Sequence, residues 1–273
     1  MAARKLKDHA LTIYSLLSLV IITIPLLHII ATTVINGAQS LTPEFFTSLP
    51  KPPGEEGGGV ANAIQGTAIL VALTMLISIP AALLTAVYLS EFPESRLRDL
   101  IRLLNDTFMG TPSIVAGVFA YSLLVTKFGF SALAGAFALS VLAVPMMVKT
   151  MEEALKLVPA DIREAGLSLG IRHWRVITSI VLRTAMPAIA SGVLLTVARI
   201  SGETAPLLFT AFGNPNFAGS VLEPVSALPL VIYVYAISPY PDWHRKAWGA
   251  SLILMIAVLS INLITKYRLR RKR

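Results

Sequence analysis

Cysteine is absent from all 273 residues of the sequence. This absence excludes a disulfide framework, a thiolate metal site, a thiol nucleophile and an iron–sulfur cluster. Charge is also scarce, because charged residues make up 14% of the chain, against about 25% in ordinary soluble domains. Apolar residues reach 55% and the mean hydropathy is +0.72, which excludes a disordered chain and argues against a soluble globular protein. A polytopic membrane protein is the class that remains.

Long apolar runs supply the positive evidence, since a membrane-spanning helix needs about 20 mostly apolar residues. We predict an all-α protein with six transmembrane helices: Leu11–Ile35, Ala61–Leu89, Asp106–Val125, Ser131–Lys149, Thr184–Phe209 and Ala247–Thr265. Gly110, Pro112 and Gly117 dilute the third span, which indicates a helix that lines something rather than facing lipid. Leu228–Ile237 is apolar but short, and we predict a re-entrant or interfacial segment there.

The basic residues are distributed unevenly between the two sides of these spans. If both termini are cytoplasmic, 18 of the 23 Lys and Arg residues lie on that side. They are Arg4, Lys5, Lys7, Arg96, Arg98, Arg102, Lys149, Lys156, Arg163, Arg172, Arg175, Arg183, Lys266, Arg268, Arg270, Arg271, Lys272 and Arg273. The positive-inside rule therefore places both termini in the cytoplasm. The net charge of +8 then meets cytoplasm and anionic lipid, and we expect no nucleic-acid partner.

The cytoplasmic loop between the fourth and fifth spans, about residues 150–183, has a helical pattern. Pro159 is typical of a helix start, apolar residues follow at intervals of three and four, and Gly170 is typical of a helix end. A second amphipathic stretch, Trp174–Leu182, leads back into the membrane. Two short helices joined at a glycine predict a compact protrusion that a cytoplasmic partner can receive. The alternative is a helix pair that lies on the lipid surface.

Part of this loop resembles the EAA loop of ABC-importer permeases. The family pattern is Glu-Ala-Ala, three residues, Gly, nine residues, Ile, one residue, Leu-Pro. The matching residues here are Glu164, Ala165, Gly166, Gly170, Ile180 and Leu182, with Gly166 in place of the second Ala and Arg183 in place of Pro. The resemblance implies that the loop sits in a groove of an ATP-hydrolysing subunit and transmits its motion. It assigns this coupling to Glu164 as a charge, to Ala165 and Gly166 as small docking residues, and to Gly170 as the turn.

A charged and hydroxyl-rich string lies inside the predicted fifth span. A charge at mid-bilayer costs about 2.5–3.5 kcal/mol on insertion scales, so Arg199 needs a partner or a wet cavity. Glu203 lies four residues later and can pair with it, Ser201 and Thr204 add hydroxyls, and Gly202 permits close backbone approach. We predict that Arg199, Glu203, Ser201 and Thr204 line an anion path, since a guanidinium binds a tetrahedral oxyanion bidentately. The alternative is a self-neutralising pair that only specifies helix packing.

The string Gly202–Thr210, Gly-Glu-Thr-Ala-Pro-Leu-Leu-Phe-Thr, resembles the signature of the PstA-type permeases of phosphate importers. Gly57–Thr67, Gly110–Gly117, Leu157–Pro159 and Arg163–Ala165 resemble further segments of that family in the same order. The resemblance implies the six-helix permease fold, in the cell membrane of a prokaryote. It implies an N-terminal helix and external loop over residues 1–60 and a permease domain over residues 61–270. The implied function is half of the translocation path of an ATP-driven phosphate importer.

The resemblance also implies the partners. They are a PstC-type permease as the other half of a heterodimer, two copies of a PstB-type ATPase, and a PstS-type external binding protein that delivers phosphate. The first span then packs against the partner permease and membrane lipid. The chain is expected to be no enzyme and to need no cofactor or metal, because ATP is held by the ATPase. The sequence contains no G-x-x-x-x-G-K-[ST] run. Two alternatives stay open: a permease for another oxyanion, such as molybdate or sulfate, and an ion-coupled secondary transporter.

Overall fold

The computed structural model describes residues 2–55, 57–92 and 96–270, and this part of the chain is helical and contains no strand. The helices are α1 (Ala2–Ala38), α2 (Pro43–Thr47), α3 (Ala61–Glu91), α4 (Arg96–Met109), α5 (Ser113–Ala120), α6 (Thr126–Phe128), α7 (Ala132–Lys156), α8 (Ala160–Ser168), α9 (His173–Val176), α10 (Leu182–Ile200), α11 (Ala205–Thr210), α12 (Leu228–Ala236) and α13 (Pro241–Arg270). Short π-helical segments, Tyr121–Val125 and Ile177–Val181, join α5 to α6 and α9 to α10. The all-α prediction is confirmed. The basic residues at 271–273 lie outside the described part.

Five segments of the described chain are long and apolar enough to cross a membrane: Leu11–Ala38, Ala61–Glu91, Ala132–Lys156, His173–Ile200 and Pro241–Tyr267. A sixth crossing requires Leu97–Met109 and Ser113–Phe128 to act together, and the axes of these two segments differ by 104°. The prediction of one continuous third span over Asp106–Val125 is therefore wrong. The reason is Pro112, which has no amide hydrogen and disfavours helical backbone at the residue before it.

The fifth span differs from the predicted Thr184–Phe209 at both of its ends. Its helical course begins at His173 and ends at Ile200, so the amphipathic stretch Trp174–Leu182 is the first part of the span itself. Residues 201–202 form a turn, residues 203–204 are irregular, and α11 starts afresh with Pro206 in its first turn. Because proline cannot donate to the preceding turn of a helix, the chain breaks here rather than continuing. The short apolar segment Leu228–Ile237 contains the nine-residue helix α12, and its re-entrant or interfacial placement stays a prediction.

The core of the molecule is built around α3 and α7, which pack along each other. At one end, Leu89 of α3 and Met151 of α7 are fully buried with Val181 and Ile189 of the fifth span. We call this the loop end, because α8 and α9 lie there. At the opposite end, Leu70, Leu139, Leu207 and Val225 form a second buried cluster. The helix α1 stands apart from both clusters: its apolar stretch is exposed in this single chain, and it packs against α13.

Candidate functional site

Arg199 and Glu203 lie on either side of the point where α10 ends. The Arg199 Nε atom is 4.0 Å from Oε1 of Glu203, so the predicted pair is formed but loose. The Arg199 side chain is 63% exposed and that of Glu203 is 20% exposed. The guanidinium also contacts Sδ of Met146 through Nη1, at 3.7 Å. Within this single chain the Arg199 side chain therefore lies on an open face rather than in the core.

The depth of Arg199 along the spanning helices follows from its neighbour. Met146 is near the middle of α7, which runs for 25 residues. The side-chain amide of Asn105 in α4 donates to the Pro145 carbonyl at 3.2 Å, so the second half of α4 reaches the same level. The helix breaks at residues 110–112 and 201–204 both follow shortly after these contacts. Irregular backbone at membrane depth is tolerated where it lines a cavity or is covered by protein, and so these breaks mark the candidate path.

The two broken segments pack against each other just beyond their breaks. At Gly117 of α5, a methyl group would lie 2.7 Å from Cα of Pro206 in α11. No such approach occurs at Gly202, where a methyl group would meet nothing closer than the Arg199 carbonyl at 3.8 Å. The close approach predicted for Gly202 is therefore wrong within this chain. Between these two segments Gly117 permits the close packing, a role that the sequence pattern does not indicate.

The two hydroxyl residues of the predicted site differ in their placement. Ser201 is 8% exposed, and its hydroxyl donates to the Val197 carbonyl at 2.6 Å. It is thus turned towards its own helix in this single chain, and its place in the path stays a prediction. Thr204 is half-buried, and its carbonyl accepts from the amides of Leu207 and Leu208 at 3.1 and 3.3 Å, which opens α11. Arg199 is the basic group that the site presents on the open face.

At the loop end, the short helix α8 and the helical start of the fifth span are joined by a turn at a glycine, as predicted. Gly170 has φ +74°, its amide donates to the Leu167 carbonyl at 2.9 Å, and the Ile171 amide donates to the Gly166 carbonyl at 3.3 Å. These two bonds form the glycine-dependent helix end that satisfies the last carbonyls of α8. The turn predicted at Gly170 is confirmed. Glu164 and Ala165 are exposed on α8, where a partner can reach them.

Gly166 does not belong to that exposed surface. It is buried, and a methyl group there would lie 3.1 Å from both Ile180 and Val176. The prediction that Gly166 is a small residue on the docking surface is therefore wrong, because its smallness serves the packing of α8 on the start of the fifth span. The surface of the loop instead presents exposed apolar side chains, namely Leu157, Leu167, Leu169 and Trp174. Exposed apolar groups of this kind mark interaction surfaces.

Ion pairs at the loop end are mostly not evident from the sequence. Glu152 of α7 has a side chain only 4% exposed, and it contacts Arg102 of α4 and Lys156, the latter at 2.6 Å. Arg163 of α8 contacts Glu91 of α3 at 2.9 Å. The spacing of four between Glu152 and Lys156 is a signal for an ion pair on a helix. The other pairs join residues 50 and 72 positions apart, and no local pattern indicates them. Within the described residues, no group of three or more His, Asp or Glu side chains suits a metal ion.

Known proteins show both sequence and structural similarity to this chain. Residues 78–271 match the family described as binding-protein-dependent transport system inner membrane component. A protein of Haemophilus influenzae named phosphate transport system permease protein PstA is 41% identical over 272 residues, which cover 99% of this chain and 96% of that protein. The PstA protein of Yersinia pestis is 36% identical over 274 residues, covering 100% and 93%. A probable PstA protein of Methanocaldococcus jannaschii is 38% identical over 249 residues, covering 90% and 88%.

Two solved structures share the fold. The MetNI methionine ABC transporter in an inward-facing conformation superimposes with a TM-score of 0.59 at 19% identity, covering 78% of this chain and 94% of that one. An amino acid ABC transporter gives a TM-score of 0.55 at 16% identity, with the same coverage. At these identities the likeness concerns the arrangement of helices, which is that of ABC importer permeases.

Proposed function

Since this chain belongs to the PstA family within the binding-protein-dependent transport permeases, we propose that it forms half of the phosphate path of an ATP-driven importer. The observation that carries the proposal is the Arg199 guanidinium. It lies at the level of the middle of α7, on an open face, beside the break between α10 and α11. A guanidinium offers paired donors to phosphate oxygens, and charge-assisted hydrogen bonds of this kind are the strong ones.

The loose pairing with Glu203 suits transport rather than storage of the anion. At 4.0 Å the carboxylate leaves donors of Arg199 available, yet it remains close enough to compete for them. An anion bound at Arg199 is therefore displaced by a neighbouring negative group instead of being held tightly. Transport requires this exchange, because a site that binds too well slows release on the far side.

The remaining partners follow from the open surfaces of the chain. A PstC-type permease would cover the Arg199 face, and together with lipid it would cover the apolar stretch of α1, which is exposed in the single chain. A PstB-type ATPase dimer would receive α8, with Glu164, Ala165 and the turn at Gly170 at its surface. A PstS-type binding protein would deliver phosphate at the opposite end. In this arrangement ATP is bound and hydrolysed by the ATPase, and the permease domain of residues 61–270 does no chemistry.

The same arrangement sets the orientation in the cell membrane. The ATPase needs cytoplasmic ATP, so the loop end faces the cytoplasm. The bias of Lys and Arg residues along the sequence supports this orientation, and it supports a cytoplasmic side for both termini as well.

The test is phosphate uptake into vesicles that contain the complete complex. Arg199→Ala is expected to lower uptake at least about tenfold, since a hydrogen bond to a charged group is worth about 1.5–3 kcal/mol. Arg245→Ala is the matched control, because Arg245 is also exposed but lies near the start of α13, away from the helix breaks. Undiminished uptake by Arg199→Ala would contradict the site. Competition by molybdate or sulfate that equals competition by phosphate would favour the other-oxyanion alternative, and uptake without the ATPase would favour a secondary transporter.

A further inference from the structure

Arg163 lies one turn into α8, and its side chain reaches the end of α3. Its Nε atom donates to both carboxylate oxygens of Glu91, at 3.3 and 3.2 Å, and Nη2 donates to Oε1 at 2.9 Å. Glu91 is the last residue of α3, its side chain is 4% exposed, and the Ser90 hydroxyl donates to it at 3.1 Å. The contact is therefore a fork-shaped, largely desolvated ion pair between residues 72 positions apart, unlike a solvated surface pair.

The same guanidinium also closes the end of α7. Nη2 donates to the Leu155 carbonyl at 2.8 Å, and Nη1 donates to the Val158 carbonyl. The last carbonyls of a helix lack partners within it, and the carboxyl end of a helix carries partial negative charge. Arg163 thus places one positive charge where the carboxyl ends of α3 and α7 meet, and it uses donors on all three of its nitrogens to do so.

We propose that Arg163 is a positioning residue that fixes the coupling helix α8 to α3 and α7, so that the three elements move as one body. This inference rests on the proposed function, because it concerns how motion of an ATPase reaches the spanning helices. Two independent attachments of α8 support it. Gly166 packs on Val176 and Ile180 and joins α8 to the fifth span, whereas Arg163 joins it to the central pair of helices. Without Arg163, α8 loses its attachment to α3 and the end of α7 and keeps its packing on the fifth span, so its movement reaches α3 poorly.

The functional test is the ratio of phosphate transported to ATP hydrolysed in vesicles with the complete complex. Arg163→Ala is expected to lower this ratio at least about fivefold while ATP hydrolysis stays within about twofold. Arg163→Lys is expected to fall between, because an ammonium cannot replace the fork of a guanidinium. Arg102→Ala is the matched control: it breaks another pair with a carboxylate that is 4% exposed, that of Glu152, but this pair links α4 to α7 and includes no residue of α8. Its ratio is expected to equal that of the wild type.

If the Arg163→Ala complex fails to assemble, Glu91→Gln replaces it as the test variant, since glutamine keeps the shape of the Glu91 side chain and removes its charge. An unchanged ratio in Arg163→Ala, or in Glu91→Gln if only that variant assembles, would overturn the inference.

A second readout does not depend on phosphate. The chain has no cysteine, so cysteines introduced at exposed Ser168 on α8 and Leu84 on α3 can carry a pair of spin labels. The distance between the labels is expected to stay constant through the ATP cycle in the wild type and in Arg102→Ala. In Arg163→Ala it is expected to broaden. Equal distance distributions in wild type and Arg163→Ala would overturn the inference even in a complex that transports another anion. Failure of wild-type phosphate uptake alone would instead count against the proposed function.

Discussion

Gly117 is a point of close approach between the two broken segments, and Gly117→Ala tests this packing directly. The added methyl group would lie 2.7 Å from Cα of Pro206, 3.1 Å from the Pro206 carbonyl oxygen and 3.3 Å from a ring carbon of Phe209. Ordinary contact begins at 3.4 Å, so α5 and α11 would have to separate by about 0.7 Å. Two of the three obstructing atoms belong to the backbone, which cannot turn away as a flexible side chain can.

Overpacking of this kind costs about 1–3 kcal/mol, and alanine recovers about 0.5–1 kcal/mol of helix propensity. We therefore expect Gly117→Ala to lower the free energy of unfolding by about 1 kcal/mol. Gly110→Ala is the matched control in the same segment, because its methyl group would meet nothing closer than the Thr107 carbonyl at 3.6 Å, and we expect no loss. The assay is SDS-induced unfolding in mixed micelles, followed by helical circular dichroism. Equal unfolding curves for the two variants would refute the close packing of α5 and α11.

Three further changes probe the loop and the site. Gly170→Ala forces a side chain into φ +74°, which costs about 1–2 kcal/mol, and should therefore speed proteolytic cleavage of the loop. Gly202→Ala, the control, should leave the cleavage rate of the loop unchanged. Equal cleavage rates in the two variants would argue against a strained turn at Gly170. Glu203→Gln should change the free energy of unfolding by no more than about 0.5 kcal/mol, because its pair with Arg199 is loose. The same change should slow the release of phosphate and so lower its uptake. An unchanged uptake rate would speak against competition between Glu203 and phosphate for Arg199. Gly166→Trp should displace α8 from Val176 and abolish stimulation of ATP hydrolysis, and normal stimulation would contradict this packing.

Hydropathy predicts the helical class and most of the spans because the membrane imposes a local requirement on each segment. The second span begins at Ala61 both in the prediction and in the structure, and the fourth begins within one residue of the predicted start. The third and fifth spans differ because a hydropathy average takes no account of backbone hydrogen bonding. Pro112 and Pro206 each interrupt the helix, while the surrounding residues keep each segment apolar enough to be predicted as a span.

For the candidate site, the sequence predicts the residue types but not the directions in which their side chains point. Residue types and spacing predict the contact between Arg199 and Glu203 and the turn at Gly170. They do not reveal which way a residue faces: the Ser201 hydroxyl bonds to its own helix, and Gly166 packs against Val176 and Ile180 rather than on the loop surface. The pairing of Arg163 with Glu91 depends on tertiary contact between distant positions, and no local periodicity carries that information.

The most direct test of the account is phosphate uptake into vesicles that hold this chain with the partner permease, the ATPase dimer and the external binding protein. We predict that uptake requires all four kinds of subunit together with ATP, and that each phosphate transported is accompanied by ATP hydrolysis. Vesicles that hold this chain alone should take up none above the background of empty vesicles. ATP-independent uptake of phosphate by this chain alone would contradict the account.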